Sequence, residues 1–447
     1  MYSIALYVPH YNKEDNSSKK NIIILGGGFA GIQVFKKLQK KFRHNKSVNI
    51  TLVSRDNFIL FTPMLHEVSS GMIEIRHIVT PIRAFLQKAN FYEADIQSID
   101  LNEKKVTVTH AIGRLSEPTE WEKHVLEYDY LVIAMGGETS FFEMEDIRKH
   151  SFTMKTINDA IILRNHVINI LEQANFELQN NELKQRLLTF VVVGGGFGGV
   201  ETVGELNDFV KDTVRGFYKN IHAKDIKIIL VNAHDKILPE VGDELGNFAL
   251  QKLKERGVQF VMNTHAKGAT DKSLSLDNGM VIPTYTLIWT AGVNPSKVVA
   301  NLPCNHDKHQ RIMANTYLEL QGYERVVYAL GDCASVSDPH TGKSYPPTAQ
   351  HAIRQGKVAA DNIIHDIEGK TTNKKKFDYK TRGMMAEIGR RSGVAKVFGF
   401  KVHGFLAWWL WRTFYLANLP TLRKKMKVMG DWTTDLLYRP DASMIKD

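Results

Sequence analysis

Cysteine is scarce in this 447-residue chain: there are two, Cys304 and Cys333, and no C-x-x-C pair. That excludes a disulfide-stapled secreted fold and dithiol redox chemistry. The opening MYSIALYVPHYNKEDNSSKK has no uninterrupted apolar run behind a basic start, and reads as a short polar extension rather than a leader. No stretch reaches the ~20 apolar residues of a spanning helix. The nearest lies close to the C-terminus, where Arg412 and Asn418 interrupt it. His306 and His309 stand near Cys304 with loosely metal-like spacing, but no second ligand cluster accompanies them, so NLPCNHDKHQR reads as a polar loop and no metal is expected. No zinc-finger, homeodomain or RNA-binding signature is present, so the net charge of +10 is left to an anionic membrane or acidic ligands rather than nucleic acid. The composition, 43% hydrophobic and 24% charged, suits a packed core, and the length suggests two or three domains.

One unit is written twice. NIIILGGGFAGIQVFKKLQKKF runs from an apolar strand through Gly26, Gly28 and Gly31 into a helical pattern, and the strand NITLVSRDN follows. LTFVVVGGGFGGVETVGELNDFV repeats this with Gly194, Gly196 and Gly199, followed by IKIILVNAHD. The first glycine makes the tight turn, the second lets a pyrophosphate approach the backbone, and the third lets the helix pack on the strand. Both units close alike, in YDYLVIAMGG and YTLIWTAGV. Two such sites imply two dinucleotides, and the natural pairing is FAD with NAD(P)H.

The carboxylate expected at the end of each second strand is absent. Those positions are Ser54, with Asp56 nearby, and Asn232. An amide at Asn232 does not repel the 2′-phosphate of NADPH, and His234 and Lys236 add positive charge, so NADH should serve and NADPH should be less excluded than usual. An incidental change at Asn232 accounts for the sequence equally well. No arginine stands there as a phosphate clamp.

VVYALGDCASVSDP is a strand, Val326–Leu330, running into Gly331 and Asp332, where a carboxylate can accept from a ribityl hydroxyl. The helical stretch YPPTAQHAIRQGKVAADNI follows. With the paired glycine loops, this resembles the two-dinucleotide flavoprotein disulfide reductases. More closely, GGGFAG, FTPMLHEVSSG, VVVGGGFGGVETVGEL, WTAGV, ALGDCA, the A-Q-x-A pattern at Ala349–Ala352 and IGRRSGVAKVFGFKVHGFLAWWLWRTFYL resemble the type II NADH:quinone oxidoreductases from about Asn21 to the end. The resemblance implies a homodimeric, FAD-dependent enzyme that passes hydride from NADH to flavin and on to a membrane quinone. It implies docking on the cytoplasmic face of the membrane without spanning it and without pumping protons.

The same resemblance distributes the site residues. FAD, held non-covalently, falls to Gly26, Gly28, Phe29, Ala30, Gly31, Ser54, Arg55, Thr62, Pro63, Ala134, Gly136, Gly331, Asp332, Ala349 and Lys401. The nicotinamide nucleotide falls to Gly194, Gly196, Phe197, Gly198, Gly199, Glu201, Asn232, Ala291 and Gly292, and quinone to Gln350, Ala349, Ala352 and Lys401. Glu201 is implied in proton delivery and Gln350 in lining the quinone site. The residues support Glu201 on their own account, because the first unit has Gln33 at the matching place and quinone reduction consumes protons. A first-turn acid that favours the helix dipole is the competing account. For Thr62 and Pro63 it is an ordinary turn into a core helix, and for Lys401 a lysine snorkelling at an interface.

The fold expected is α/β, with two Rossmann-like domains and an amphipathic helical tail: FAD over 21–140 and 310–375, NAD(P)H over 141–309, the tail over 376–447, and a polar extension over 1–20. Four of six tryptophans lie in the last forty residues. Phe400–Leu419 is apolar around most of its circumference and stops at Pro420. Leu422, Met426, Met429, Trp432 and Leu436 then fall at helical spacing beside Arg423, Lys424, Lys425 and Lys427. That is the pattern of a helix lying in a bilayer interface, although a core helix or a dimer interface also uses such residues. A sulfide:quinone reductase would need redox cysteines near the flavin, which this chain lacks. A reductase of a soluble carrier, or a non-catalytic NAD(P)H-sensing flavoprotein, would need no such tail.

Overall fold

Ile22–Leu25 is buried on both faces, as a central parallel strand must be. It belongs to the strand Lys20–Leu25, which turns at Gly26 into the helix Phe29–Lys41 and returns as the parallel strand Val48–Ser54. The helix buries Ile32, Phe35 and Leu38 on one stripe and ends on Lys40 and Lys41, which complement its C-terminal dipole. The computed structural model describes residues 19–110, 123–438 and 441–444. The polar extension expected over 1–20 lies outside these, apart from its last two residues.

By its contacts the chain divides into two units. The first comprises the chain up to Asn57, Ile82–Gly136 and Ser296–Asp378. Its sheet runs in the order Val327–Ala329, Tyr130–Ile133, Lys20–Leu25, Val48–Ser54, Asn90–Asp100, Lys105–His110, Lys123–Glu127. The first five strands are parallel and the last two pair antiparallel at one edge. The helix Ala349–Ile367 packs on Phe29–Lys41. It begins only at Ala349, after the two prolines of the YPPT stretch.

The second unit comprises Phe58–Pro81, Gly137–Pro295 and Tyr379–Asp447. Its parallel sheet, in the order Val258–Val261, Lys227–Val231, Thr189–Val193, Thr286–Trp289, repeats the strand–glycine–helix device through the helix Phe197–Phe217. A core of Phe190, Val200, Val203, Leu206, Val210 and Leu253 fills the space between sheet and helices. The C-terminal part adds an antiparallel meander, Gly383–Glu387, Gly393–Val397 and Phe400–Gly404, then the helices Phe405–Asn418 and Leu422–Leu437.

The apolar stretch expected as one segment over Phe400–Leu419 is therefore a strand and a helix. Gly404, at φ +72°, makes the corner between them, and the extended Leu419 before Pro420 ends the helix. Its tryptophans divide as well. Trp408 and Trp411 are buried with Arg412, while Trp409 is 50% exposed. Trp432 of the last helix is also buried, so three of the four tail tryptophans belong to the core.

Candidate functional site

The two glycine loops have the same geometry. Gly26 and Gly194 adopt φ of +106° and +120°, open to glycine alone. A Cβ on Gly31 would lie 2.0 Å from the Gly26 carbonyl oxygen, and one on Gly199 would lie 1.9 Å from that of Gly194. Gly28 and Gly196, the N-caps of the two helices, are extended and provide no side-chain cap. A Cβ on either would meet nothing within 4 Å. Each helix thus presents first-turn N–H groups, uncapped by the residue before it, to an open approach. That is the donor set a pyrophosphate needs, so the residues fit a dinucleotide in each unit.

Around the first loop, a Cβ on Gly26 would collide with the Ala134 carbonyl, and one on Gly331 would stand 3.5 Å from Ala30 and 3.8 Å from Ala352. Gly28, Ala30, Ala134, Gly331 and Ala352 thus belong to one neighbourhood. Gln355, absent from the expected set, accepts a 2.7 Å hydrogen bond from the Gly331 N–H and fixes the turn that carries Asp332. Gln350 stands in the first turn of Ala349–Ile367, where its carbonyl accepts from Arg354. Ser54 is buried at its strand end and Arg55 is exposed. Phe29 opens the first helix, and Gly136, at φ +67°, follows the strand Tyr130–Ile133.

Asn232 stands against the second loop. It is buried, its Oδ1 accepts from the Gly195 N–H at 3.0 Å, and its Nδ2 donates to the carbonyls of His234 and Lys236 at 3.0 and 2.8 Å. The amide is committed to bracing the second loop. The Lys236 ammonium is paired with Asp243 at 3.0 Å. Thr290, also unforeseen, donates to the Val193 carbonyl at 2.7 Å and underlies Gly194 and Gly199. Ala291 and Gly292 follow it, and Phe197 and Gly198 open the helix.

That helix carries Glu201 into a buried acid cluster of the second unit. Glu201 Oε1 accepts from Trp411 Nε1 at 3.2 Å and from the Glu387 N–H at 3.4 Å, and its Oε2 lies 3.9 Å from His66 Nδ1. On the other side of the imidazole, His66 Nε2 is 3.4 Å from Glu387 Oε2. Arg412 Nη2 donates to Glu67 Oε1 at 3.2 Å, and the guanidinium lies 4.3 and 4.6 Å from the rings of Trp408 and Trp432. Trp432 Nε1 also donates to Glu67 Oε1, at 2.9 Å, and Ser70 Oγ donates to Glu205 at 3.3 Å. Four carboxyls face one guanidinium and one imidazole in a largely buried cluster, where four negative charges are strongly disfavoured. Burial pushes the Glu201 carboxyl up to about 7. Burial, with Glu387 nearby, pushes Glu67 up to about 8. Glu205 and Glu387 are raised too, first by burial. The cluster therefore holds protons at neutral pH.

Of this cluster only Glu201 was expected. Glu205, four residues on along the same helix face, was the readable sign, because two acids at that spacing repel unless protonated. Thr62 and Pro63 form a 3₁₀ turn into Leu65–Ser69, the short helix that carries His66 and Glu67 into the cluster. Lys401 is exposed on its strand and paired with Glu244 at 2.6 Å. In the first unit, Cys333 is fully buried and burial raises its thiol to about 11, while Cys304 lies 3.8 Å from His306 Nε2. Among the described residues no cluster of metal ligands occurs.

The tail's outer surface is apolar and basic. Phe398, Phe400, Phe405, Leu406, Trp409, Leu422 and Met426 are each at least half exposed, and Arg423 and Lys427 are exposed beside them. No described helix is long and apolar enough to cross a membrane.

Comparison with known proteins agrees with this geometry. The model of the pyridine nucleotide-disulphide oxidoreductase family matches residues 20–356, and that of the NDH2 C-terminal domain matches 381–441. A probable NADH dehydrogenase of Dictyostelium discoideum is 31% identical over 427 residues, 95% of this chain and 91% of its own. The type II NADH:quinone oxidoreductase Ndh of Mycobacterium tuberculosis is 30% identical over 434 residues, 94% of this chain and 88% of its own. The solved structure of NDH2 from Plasmodium falciparum in complex with NADH superposes with a TM-score of 0.86 at 21% identity, covering 96% of this chain and all of that one.

Proposed function

This chain belongs to the type II NADH:quinone oxidoreductases, and from that premise we propose how its own residues carry the reaction. It is an FAD-dependent enzyme that oxidises NADH, reduces quinone and pumps no protons. The observation that carries the residue assignment is the helix Phe197–Phe217. Its N-terminus meets the nucleotide phosphates at Gly194–Gly199, and one turn later Glu201 enters the proton-holding cluster.

FAD, when bound on the Gly26–Gly31 loop, supplies the acceptor for hydride and the donor for quinone. The first-turn N–H groups after Gly28 take its phosphates, and Asp332 accepts from its ribityl hydroxyls. NADH takes the corresponding place after Gly196, on the loop that Asn232 braces. Glu201, with an affinity for protons close to neutrality, holds a proton for the quinone oxygen that acquires charge on reduction. Gln350 hydrogen-bonds quinone and orients the ring. The exposed apolar and basic surface of the tail docks the enzyme, as a homodimer, on the cytoplasmic face of an anionic membrane, where quinone is dissolved. A reductase of a soluble carrier would share both loops, but it would have no use for this surface.

The test is an anaerobic flavin spectrum. NADH should bleach it and a soluble quinone should restore it. Bleaching without restoration would turn the assignment to a soluble carrier. For docking, replacing Phe398, Trp409 and Leu422 together by glutamine should abolish cosedimentation with anionic liposomes while soluble quinone is still reduced. Undiminished cosedimentation would remove the tail from that role.

A further inference from the structure

Quinone reduction consumes protons, and Glu201 has to be refilled after each turnover. The group placed to refill it is His66. It is 4% exposed, sits on the short helix Leu65–Ser69, and presents its two ring nitrogens to two different carboxyls. Nδ1 faces Glu201 Oε2 at 3.9 Å and Nε2 faces Glu387 Oε2 at 3.4 Å. The Trp411 indole, 5.5 Å from the imidazole at an interplanar angle of 61°, holds the ring edge-on while its own N–H engages Glu201. Beyond Glu387 lies the rest of the acid array. Glu67 Oε2, Glu205 Oε1 and Glu387 Oε1 are buried there without hydrogen-bond partners.

We propose that His66 is a proton relay that recharges Glu201 from Glu387 and the acid array behind it. This rests on the quinone reductase reading and adds to it the source of the proton. The transfer balances within the three groups. Glu387 Oε2 releases its proton to Nε2, the proton already on Nδ1 passes to the Glu201 carboxylate, and the imidazole is left as the other neutral tautomer. Ring reorientation restores the starting tautomer. The 3.9 Å step closes with a small tilt of the ring, of the kind that tightens as reaction begins. The charged and titratable groups that set the energetics of this step are Glu67 on the helix of His66, Glu201, Glu205 and Asp208 on Phe197–Phe217, Glu387 on its strand, and Arg412 and Tyr415 on Phe405–Asn418.

The experiment uses the flavin-loaded enzyme and the variants His66→Gln and Glu387→Gln. Bleaching by NADH and reoxidation by a soluble quinone are followed separately from pH 6 to pH 8. Reoxidation should fall by roughly 10²-fold in His66→Gln at pH 8, and less at pH 6, where Glu201 starts each turnover protonated. Bleaching should not follow that pH trend. Glu387→Gln should behave alike, and the double variant should be no slower than either single one, as for two members of one path. A readout apart from turnover is the Trp411 emission, taken as the difference from Trp411→Phe. Its pH midpoint reports Glu201 and should move upward in His66→Gln, because the Nδ1–H that faces Oε2 no longer favours the carboxylate. Wild-type reoxidation rates in either folded variant, or an unmoved Trp411 midpoint, would overturn the relay. If the wild type itself is bleached but not restored by quinone, the functional reading falls, and the Trp411 midpoint still decides whether His66 couples the two carboxyls. Should His66→Gln fail to fold, the pH dependence of Glu387→Gln, which keeps the imidazole, decides the same question.

Discussion

In the first unit, acids with perturbed proton affinity are held ionised by matched cations. Glu368, bonded to Lys41 and Lys370, is drawn down to about 2. Glu319, although part-buried, stays below its usual range because Lys374 and Asn315 bond it. Behind the Gly194 loop the balance is reversed, and Glu67, Glu201, Glu205 and Glu387 outnumber the one guanidinium among them and rise instead. The two units, each built on the same strand, turn and helix, thus differ in their electrostatics. A carboxyl matched by cations stays ionised, whereas acids that outnumber their countercharge load and unload protons near neutral pH, as proton-coupled chemistry requires.

The largest effects should come from the loops themselves. Gly31→Ala and Gly199→Ala each drive a Cβ to about 2 Å from a backbone oxygen that cannot retreat without breaking its turn. The expected outcomes differ by unit. Gly31→Ala should yield protein without bound flavin, read as loss of the visible spectrum. Gly199→Ala should retain flavin and lose bleaching by NADH. Loss of flavin in both would mean that the two loops do not divide the dinucleotides between them.

The next effect tests the acids. Glu67 and Glu201 carry folded values above the unfolded one, so the stability they contribute is complete below about 4.5. It is lost as pH rises through about 7 and about 8. Glu319 and Glu368 have the opposite sign: their contribution is present above about 4.5 and disappears on acidification. Amide exchange protection of the strand Gly383–Glu387 should therefore fall between about pH 4.5 and pH 8 while that of Tyr130–Ile133 holds. Arg412→Met sharpens the contrast. Removing the one guanidinium from four acids should cost about 3–5 kcal/mol where they are ionised, and much less below pH 5, where they take up protons. A pH-independent cost in thermal melts would show that Arg412 acts through packing between Trp408 and Trp432 alone.

What could be read from the sequence follows from the range of each interaction. The glycine loops were legible because turn, cap and close contact all fall within a few residues, and each strand–loop–helix announces itself twice. The acid cluster was not, because its pairs join distant segments: Glu67 and Arg412 are 345 positions apart. Arg412 looked like an interruption in an apolar helix, when it is the countercharge that lets the inward stripe Trp408, Trp411, Arg412 and Tyr415 close over Glu67. The opposite side of that helix, with Phe405, Leu406 and Trp409, is exposed, a division that an all-round apolar reading did not foresee.

Asn232 bears on how far the two units are truly alike. A Cβ on Gly195 would stand 2.7 Å from its amide, as one on Gly27 would stand 2.7 Å from Ser54 Oγ, so both strand-end side chains lie beneath the middle glycine of a Gly-Gly-Gly run. Ser54 is small, whereas Asn232 makes three hydrogen bonds to the loop and to the turn after its strand. Asn232→Asp keeps the acceptor for Gly195 and replaces two donations with a carboxylate oxygen facing two carbonyls. The cost of such unmade bonds is about 1–3 kcal/mol. NADH and NADPH should therefore both bind roughly 10- to 100-fold more weakly, with the ratio of their bleaching rates preserved. If the ratio instead moves towards NADH, the side chain meets the ribose as an acid at this position would, and the resemblance between the two strand ends is one of position only.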